Sequence, residues 1–348
     1  MGATKLRVAF IGAGQIAEKV HLPVLSQMKD KVELVSIADT ALEKAERLAG
    51  KFSIETTFQD YNEMLSRVGP DAVWVCTTNK FHASASLAAL RSKCHVFCEK
   101  PPAMNEVEAR QILTAAEEEG RILSFNFNYR FRGETLAIKK FIEGGELGEI
   151  YVCTAQAIRR RGIPGWGSFT NRDLQGGGPV ADIGVHMIDL ALHLMDFPEP
   201  KSIVASTYRK IGNRKGIGLM GKWDPHGFTV EDSAFGLVKF RNGATMIIET
   251  AYALNTKERS VMNLHLHGDR AGASLFPPEV YTEMHGELID INLPFIETGD
   301  GHKRSIEAFV ENCFGNVSPI PTAAEACVVQ KILDGFYESA DLDKTIEL

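Results

Sequence analysis

Apolar and polar positions follow two different patterns along this chain. Over the first third, short unbroken apolar runs recur between stretches of helical spacing. Leu6-Arg7-Val8-Ala9-Phe10-Ile11 closes at Gly12, and Val32 to Ala38 closes at Asp39. Ala72-Val73-Trp74-Val75-Cys76, His95-Val96-Phe97-Cys98 and Ile122 to Phe127 follow. Between them, residues 15–28, 41–50 and His82 to Arg91 carry helix periodicity, with Leu42, Ala45 and Leu48 on one face. Asn105-Glu106-Val107-Glu108 reads as the capped start of a helix reaching about Glu119. Apolar strands alternating with helices predict an α/β domain, a doubly wound parallel sheet with helices on both faces.

From about residue 128 the pattern changes. A helix is predicted over 134–143, stopped by Gly144-Gly145, then a strand over 149–158. A Gly/Pro-rich loop spans 161–179 and a helix about 180–195. Strand-like runs at 202–208, 234–240, 244–253 and 260–267 precede two helices, about 302–314 and 322–338. Asn242-Gly243 between two of these runs is a hairpin turn signal. The expectation is an α+β domain with a large open, mostly antiparallel sheet. The division is expected at 1–128 and 129–348, with the C-terminal helix packing back toward the first domain. A wide sheet with one uncovered face predicts a homodimer or homotetramer.

Composition narrows the partners. The chain has 348 residues and a net charge of −7, so it carries no electrostatic footprint for nucleic acid or an anionic membrane surface. No apolar run reaches the roughly 18 residues of a membrane span. Met-Gly-Ala-Thr-Lys-Leu-Arg has no signal-peptide plan, so the cytoplasm is the expected location. Six cysteines (76, 94, 98, 153, 313, 327) form no C-x-x-C pair, which argues against a disulfide scaffold and a zinc site; no metal is expected.

Three segments carry chemistry. Gly12-Ala13-Gly14-Gln15-Ile16-Ala17 follows a strand, opens a helix and fits G-x-G-x-x-A. Gly12 permits the tight turn, Gly14 admits a pyrophosphate to the backbone, and the helix start at Gln15 and Ile16 favours anions. Asp39, at the end of the second strand, suits a ribose hydroxyl and repels a 2′-phosphate, favouring NAD over NADP. The second segment comprises two strand ends, Thr77-Thr78-Asn79 with His82, and Glu99-Lys100-Pro101-Pro102. A lysine at a buried strand end needs a charge partner or a function, and a lysine snorkelling beside Glu99 is the plainer alternative.

The third segment is the helix after Gly176-Gly177-Gly178. Asp182 and His186 lie one turn apart, and Asp189 and His193 continue their face. An acid/base dyad, a metal site built from these four residues, and a solvated helix face all satisfy the spacing, which by itself favours the solvated face. Tyr129, Arg160 in Arg159-Arg160-Arg161, and Trp166 are further candidates for substrate contacts, with a domain-junction core residue and a solvated charge run as the plainer readings. His265 and His267 share a strand face and read as structural.

In order and spacing, Gly12-Ala13-Gly14-Gln15-Ile16-Ala17, Asp39, Thr77-Thr78-Asn79 with His82, Glu99-Lys100-Pro101, and Gly176-Gly177-Gly178 running into Asp182-Ile183-Gly184-Val185-His186 resemble the glucose–fructose oxidoreductase/inositol dehydrogenase/MocA-type oxidoreductases. The likeness extends to Pro321-Thr322-Ala323-Ala324-Glu325, and departs where the family often has Thr-Pro-Asn in place of Thr77-Thr78-Asn79. The resemblance implies a Rossmann domain followed by an open-sheet domain. It implies hydride transfer between NAD and a secondary alcohol of a cyclic polyol, sugar or glycoside. It assigns catalysis to Lys100, Asp182 and His186, which two separate lobes contribute. It places Gly12, Gly14, Gln15, Ile16, Asp39, Thr77, Thr78, Asn79, His82, Glu99 and Lys100 toward the cofactor, and Lys100, Tyr129, Asp182 and His186 toward the substrate, where Arg160 and Trp166 are expected from their own chemistry: hydrogen bonds to hydroxyls and stacking on a sugar ring. Some relatives use NAD catalytically to cleave glycosides, and a non-catalytic sugar or dinucleotide sensor is the remaining alternative.

Overall fold

The computed structural model describes residues 5–348. The chain divides into two units. The first holds the residues up to Asn126 together with His302–Cys327, and the second Phe127–Gly301 with Val328–Leu348.

In the first unit six parallel strands lie in the order β3-β2-β1-β4-β5-β6: β1 Leu6–Ile11, β2 Val32–Ala38, β3 Thr56–Phe58, β4 Ala72–Val75, β5 His95–Cys98 and β6 Leu123–Phe125. Every residue of β4 is buried, as its unbroken apolar run requires when helices cover both faces. The strand order reverses at β1, which puts the carboxyl ends of β1 and β4 side by side, the place where open α/β sheets bind ligands. β3 and the helix Tyr61–Val68 were not predicted from the periodicity.

The core of this unit needs the returning segment. Ile306, Phe309 and Val310 of the helix Gly301–Cys313 join Phe10, Trp74 and Phe97 in one buried cluster. The Phe309 ring stands 5.3 Å from Trp74 and 5.1 Å from Phe97 between centroids.

The second unit carries nine strands in the order β14-β13-β12-β11-β7-β10-β9-β8-β15. They are β7 Ile150–Arg159, β8 Pro200–Tyr208, β9 Ser233–Phe240, β10 Thr245–Ala251, β11 Ser260–Gly268, β12 Ala271–Ser274, β13 Glu279–Met284, β14 Glu287–Asn292 and β15 Ile346–Glu347. Only β7 and β10 pair parallel, so the sheet is mostly antiparallel as expected. β9 and β10 form the hairpin turned at Asn242-Gly243, where Gly243 takes φ +91°. The strands β12 to β14 extend the sheet beyond the predicted runs.

Both helices that precede candidate chemistry differ from the predicted regular form. The segment after the glycine loop is helical from Gln15 to Leu25 but contains a π turn at Ala17–His21. The helix predicted over 180–195 begins with a π turn, Val180–Gly184, and becomes α-helical over Val185–Leu194. Single π turns inside helices concentrate at functional sites. No helix among the described residues is long and apolar enough to cross a membrane.

Candidate active site

In the first unit the carboxyl ends of β1, β2, β4 and β5 bring together Gly12, Gly14, Gln15, Ile16, Asp39, Thr77, Thr78, Asn79, Glu99 and Lys100. Gly12 has φ +103°, and a Cβ there would stand 2.5 Å from the Cys76 carbonyl oxygen, so only glycine lets the β1 turn lie against the end of β4. Gly14 and Gln15 are exposed, and a Cβ on Gly14 would approach no heavy atom closer than 3.8 Å. The Asp39 carboxylate accepts from the amides of Ala13 at 2.8 Å and Ala41 at 2.9 Å. Those bonds tie it to the glycine loop and to the start of the next helix, and each oxygen keeps a second acceptor position for a ribose hydroxyl. An open turn at a helix start beside a fixed carboxylate fits the pyrophosphate and ribose of NAD.

Around Lys100 the polar groups are organised from behind. Glu99 is 7% exposed and His21 is fully buried, with His21 Nε2 2.7 Å from Glu99 Oε1. Asn126 Nδ2 donates to the same oxygen at 2.7 Å, and lies 3.0 Å from His302 Nδ1. The Lys100 amide donates to Glu99 Oε2 at 3.2 Å. Burial alone would raise the Glu99 carboxyl, but the His21 bond and charge, the Lys100 charge and Asn126 hold it well below the ordinary carboxylate range. Glu99 thus anchors the Lys100 backbone and is itself held by His21 and Asn126.

His82 lies between the two strand-end loops. It is 1% exposed, with Nδ1 2.8 Å from the Pro101 carbonyl and Nε2 3.1 Å from the Thr77 carbonyl. The ring straps the loop after β4 to the loop after β5, and burial lowers its pKa. Both ring nitrogens lie against backbone carbonyls, so His82 ties the two loops together.

In the second unit the candidate residues sit on an otherwise inaccessible helix. From Val180 to Leu192, every residue is buried except Asp182 and His186. The solvated-face reading is thereby removed: this is a core helix through which two polar side chains reach the surface. Asp189 belongs to the interior. It is fully buried and takes two hydrogen bonds from Arg130, at 2.9 and 2.6 Å. His193 lies 3.0 Å from Lys139 Nζ and is pushed down to about 3, first by burial and then by the charges of Arg130 and Lys139. No group of three or more metal-ligating side chains occurs among the described residues.

Three features fix this helix. The Tyr129 ring, in the 3-10 turn Asn128–Phe131, packs 5.1 Å from the His186 ring. The glycine lead-in is tied to Glu231, a buried carboxylate that accepts from the Gly178 amide at 2.9 Å, the Val180 amide at 3.2 Å and the Tyr337 hydroxyl at 2.9 Å. A Cβ on Gly177 would strike Tyr337, and one on Gly178 would stand 2.4 Å from the Glu231 carbonyl oxygen, which accounts for the glycine run. Finally, Tyr252, fully buried just beyond β10, donates its hydroxyl to Asp182 Oδ2 at 2.8 Å. Sequence reasoning missed Glu231 and Tyr252, because each meets its partner only through long-range packing.

Two expected substrate contacts have other surroundings. Arg160 is exposed and its guanidinium lies 3.4 Å from the Lys257 carbonyl, tethering a loop. Trp166 is 41% exposed, with its ring edge-on to Phe169 in a loop whose Gly165 amide bonds the Met220 carbonyl.

Comparison with known proteins settles the family. Residues 6–127 match the Gfo/Idh/MocA oxidoreductase family, NAD-binding Rossmann fold, and residues 135–274 match the Gfo/Idh/MocA C-terminal domain. The chain belongs to this family. It is an oxidoreductase, and NAD is its cofactor. It is 44% identical to D-glucoside 3-dehydrogenase of Escherichia coli over 348 residues, covering 100% of this chain and 99% of that one. It is 24% identical to myo-inositol 2-dehydrogenase of Thermotoga maritima, over 85% of this chain and 89% of that one. The structure of levoglucosan dehydrogenase in complex with NADH and levoglucosan shares the fold, with a TM-score of 0.83 and 21% identity over 99% of both chains.

Proposed function

We propose that the protein is an NAD-dependent dehydrogenase of D-glucosides that oxidises the ring hydroxyl at C3 to a ketone. The observation that carries this reading is the pair Asp182 and His186, the only accessible side chains between Val180 and Leu192 of a core helix. The substrate assignment is supported by the full-length likeness to D-glucoside 3-dehydrogenase.

When bound, the nicotinamide supplies the hydride acceptor. Gly12, Gly14, Gln15 and Ile16 would hold the pyrophosphate, Asp39 the adenosine ribose, and Thr77, Thr78 and Asn79 would line the neighbouring strand end. His186 takes the proton of the substrate hydroxyl as hydride leaves the carbon, and Asp182 holds the imidazole in the tautomer that can accept it. The Lys100 ammonium stabilises the negative charge that develops on the oxygen. Tyr129 packs the imidazole from one side.

The test is NADH formation from methyl β-D-glucoside, glucose, levoglucosan and myo-inositol, with the product identified by NMR. A 3-ketoglucoside produced with stoichiometric NADH supports the proposal. Inertness toward every glucoside would overturn it, and aglycone release without NADH would replace it with NAD-assisted glycoside cleavage.

The proposal includes a homodimer or homotetramer built on the sheet of the second unit. Tyr151, Val204 and Tyr208 are exposed large apolar side chains on β7 and β8, next to half-buried Phe235, Leu237 and Ile247 on β9 and β10. Such a patch suits a second copy of the same face. Light scattering on a size-exclusion column checks it, and a monomer at micromolar concentration would refute it. All six cysteines are free thiols, which supports placing the reaction in the cytoplasm.

A further inference from the structure

Tyr252 is the residue next to Asp182 for which the reaction as proposed has no use. Its phenol is a large polar group placed in the core, and such a group is retained at a cost unless its hydroxyl is satisfied. The backbone around it is pinned: its amide donates to the Asp232 carbonyl at 2.9 Å, and its carbonyl accepts from the Gly162 amide at 2.7 Å. The neighbouring residue, Glu231, is the clamp on Gly178 and Val180. One short segment, Glu231-Asp232, therefore sets both where the helix of Asp182 begins and where the Tyr252 ring lies. A Cβ at Gly184 would stand 2.6 Å from Thr250 Cγ2, so the π turn carrying Asp182 presses directly on the end of β10.

We propose that Tyr252 is a positioning residue for hydride transfer: its buried hydroxyl fixes the Asp182 carboxylate through Oδ2, one helical turn before His186. The inference rests on the reading of Asp182 and His186 as the acid/base pair. A neutral phenol is a donor only toward a carboxylate, so this bond favours ionised Asp182 and draws charge onto Oδ2. Burial, with the adjacent Asp182 and Glu231 charges, raises the Tyr252 phenol well above its ordinary range, so it remains a donor at every working pH. The charged and titratable groups facing this pair are Arg159 of β7, 5.9 Å over the Tyr252 ring, Glu231 and Tyr337 behind the helix start, and Tyr129 against His186. The Arg159 charge opposes the rise and is outweighed.

The sign of the effect follows. Removing the hydroxyl leaves Asp182 more basic, which stabilises the protonated imidazole, and a general base must be neutral to act. Tyr252→Phe keeps the ring. With methyl β-D-glucoside and NAD it should lower kcat about tenfold, leave the KM for the glucoside within about twofold, and move the acid limb of the rate profile up by about half a pH unit or more. In an Asp182→Asn background the same change should have little further effect on kcat, since the two groups act as one. Unchanged kcat and an unmoved acid limb in Tyr252→Phe would overturn the proposal. A full, additive loss in the Asp182→Asn background would overturn it equally, by showing a role in stability alone. Site-specific 3-fluorotyrosine at 252, a stronger donor in the native shape, should shift the limb to lower pH; a shift upward would also refute the proposal. Full activity in His186→Ala marks failure of the acid/base reading beneath it, whereas an inactive His186→Ala beside a wild-type Tyr252→Phe removes Tyr252 alone.

Discussion

Substituting Asp189 by Asn tests what holds the His186 helix in place. Asp189 sits three residues after His186 and faces inward, where it accepts two hydrogen bonds from the Arg130 guanidinium, at 2.9 and 2.6 Å. The two side chains are 5% and 1% exposed, and the guanidinium lies against the rings of Phe127 at 5.6 Å and Phe197 at 5.1 Å. Asparagine preserves size but leaves the arginine charge buried opposite a neutral amide. Breaking a buried pair from one side costs about 3–5 kcal/mol. For a unit of this size, where 1 kcal/mol corresponds to about 2–4 °C, the unfolding midpoint should fall by roughly 10 °C. Because Arg130 adjoins Tyr129, which packs on His186, turnover should fall as well even below the transition. Calorimetry and circular-dichroism melts measure the first effect, and NADH formation at 15–25 °C the second. The companion double variant Arg130→Met/Asp189→Leu removes both charges and should recover more than half of the lost stability. A midpoint lowered by less than about 2 °C in Asp189→Asn would refute the reasoning, since losing the buried carboxylate charge opposite the guanidinium should cost more than that.

Three other outcomes are expected. Lys100→Met and His186→Ala should each reduce kcat by at least about 10², with NAD binding retained by fluorescence titration; wild-type turnover in either refutes its assigned role. Gly12→Ala should abolish measurable NAD affinity and lower the midpoint, because its Cβ would stand 2.5 Å from the Cys76 oxygen at φ +103°; a normal dissociation constant refutes the loop assignment. His193, held down to about 3 in the folded chain against 6.5 ordinarily, contributes stability that is complete above about 6.5 and drains away as the pH falls toward 3, because the unfolded chain then takes up a proton that the folded one refuses. His193→Gln should flatten that part of the urea-stability profile relative to the parent protein, and an identical slope between pH 6.5 and 4 would contradict the account.

The strands of the first sheet were legible because burial on both faces writes itself as an unbroken apolar run: Ala72-Val73-Trp74-Val75 could be little else. The glycine loop and Asp39 were legible because their spacing is local. β13 and β14 were not, since Glu279–Met284 and Glu287–Asn292 are largely solvated and mix charges with apolar residues without a strong period. The π turns left no mark either, as one extra residue per turn shifts an apolar stripe by less than a short window resolves. Periodicity placed Asp182 and His186 on one face, but only the structure shows that the residues around them from Val180 to Leu192 are buried, which sets the pair apart from an ordinary polar stripe. The contacts of His82 were not legible for the converse reason: a histidine beside a loop looks the same in sequence whether its nitrogens point outward or meet backbone carbonyls.

The return of residues 302–327 to the first unit has a consequence for biosynthesis. A ribosome delivers Trp74 and Phe97 long before Phe309, the ring that closes over them. Until that helix emerges, the nucleotide-binding sheet has an apolar flank with nothing to cover it. A nascent chain paused near residue 200 should therefore recruit holdase chaperones, and a fragment ending at 128 should aggregate where the uninterrupted polypeptide does not.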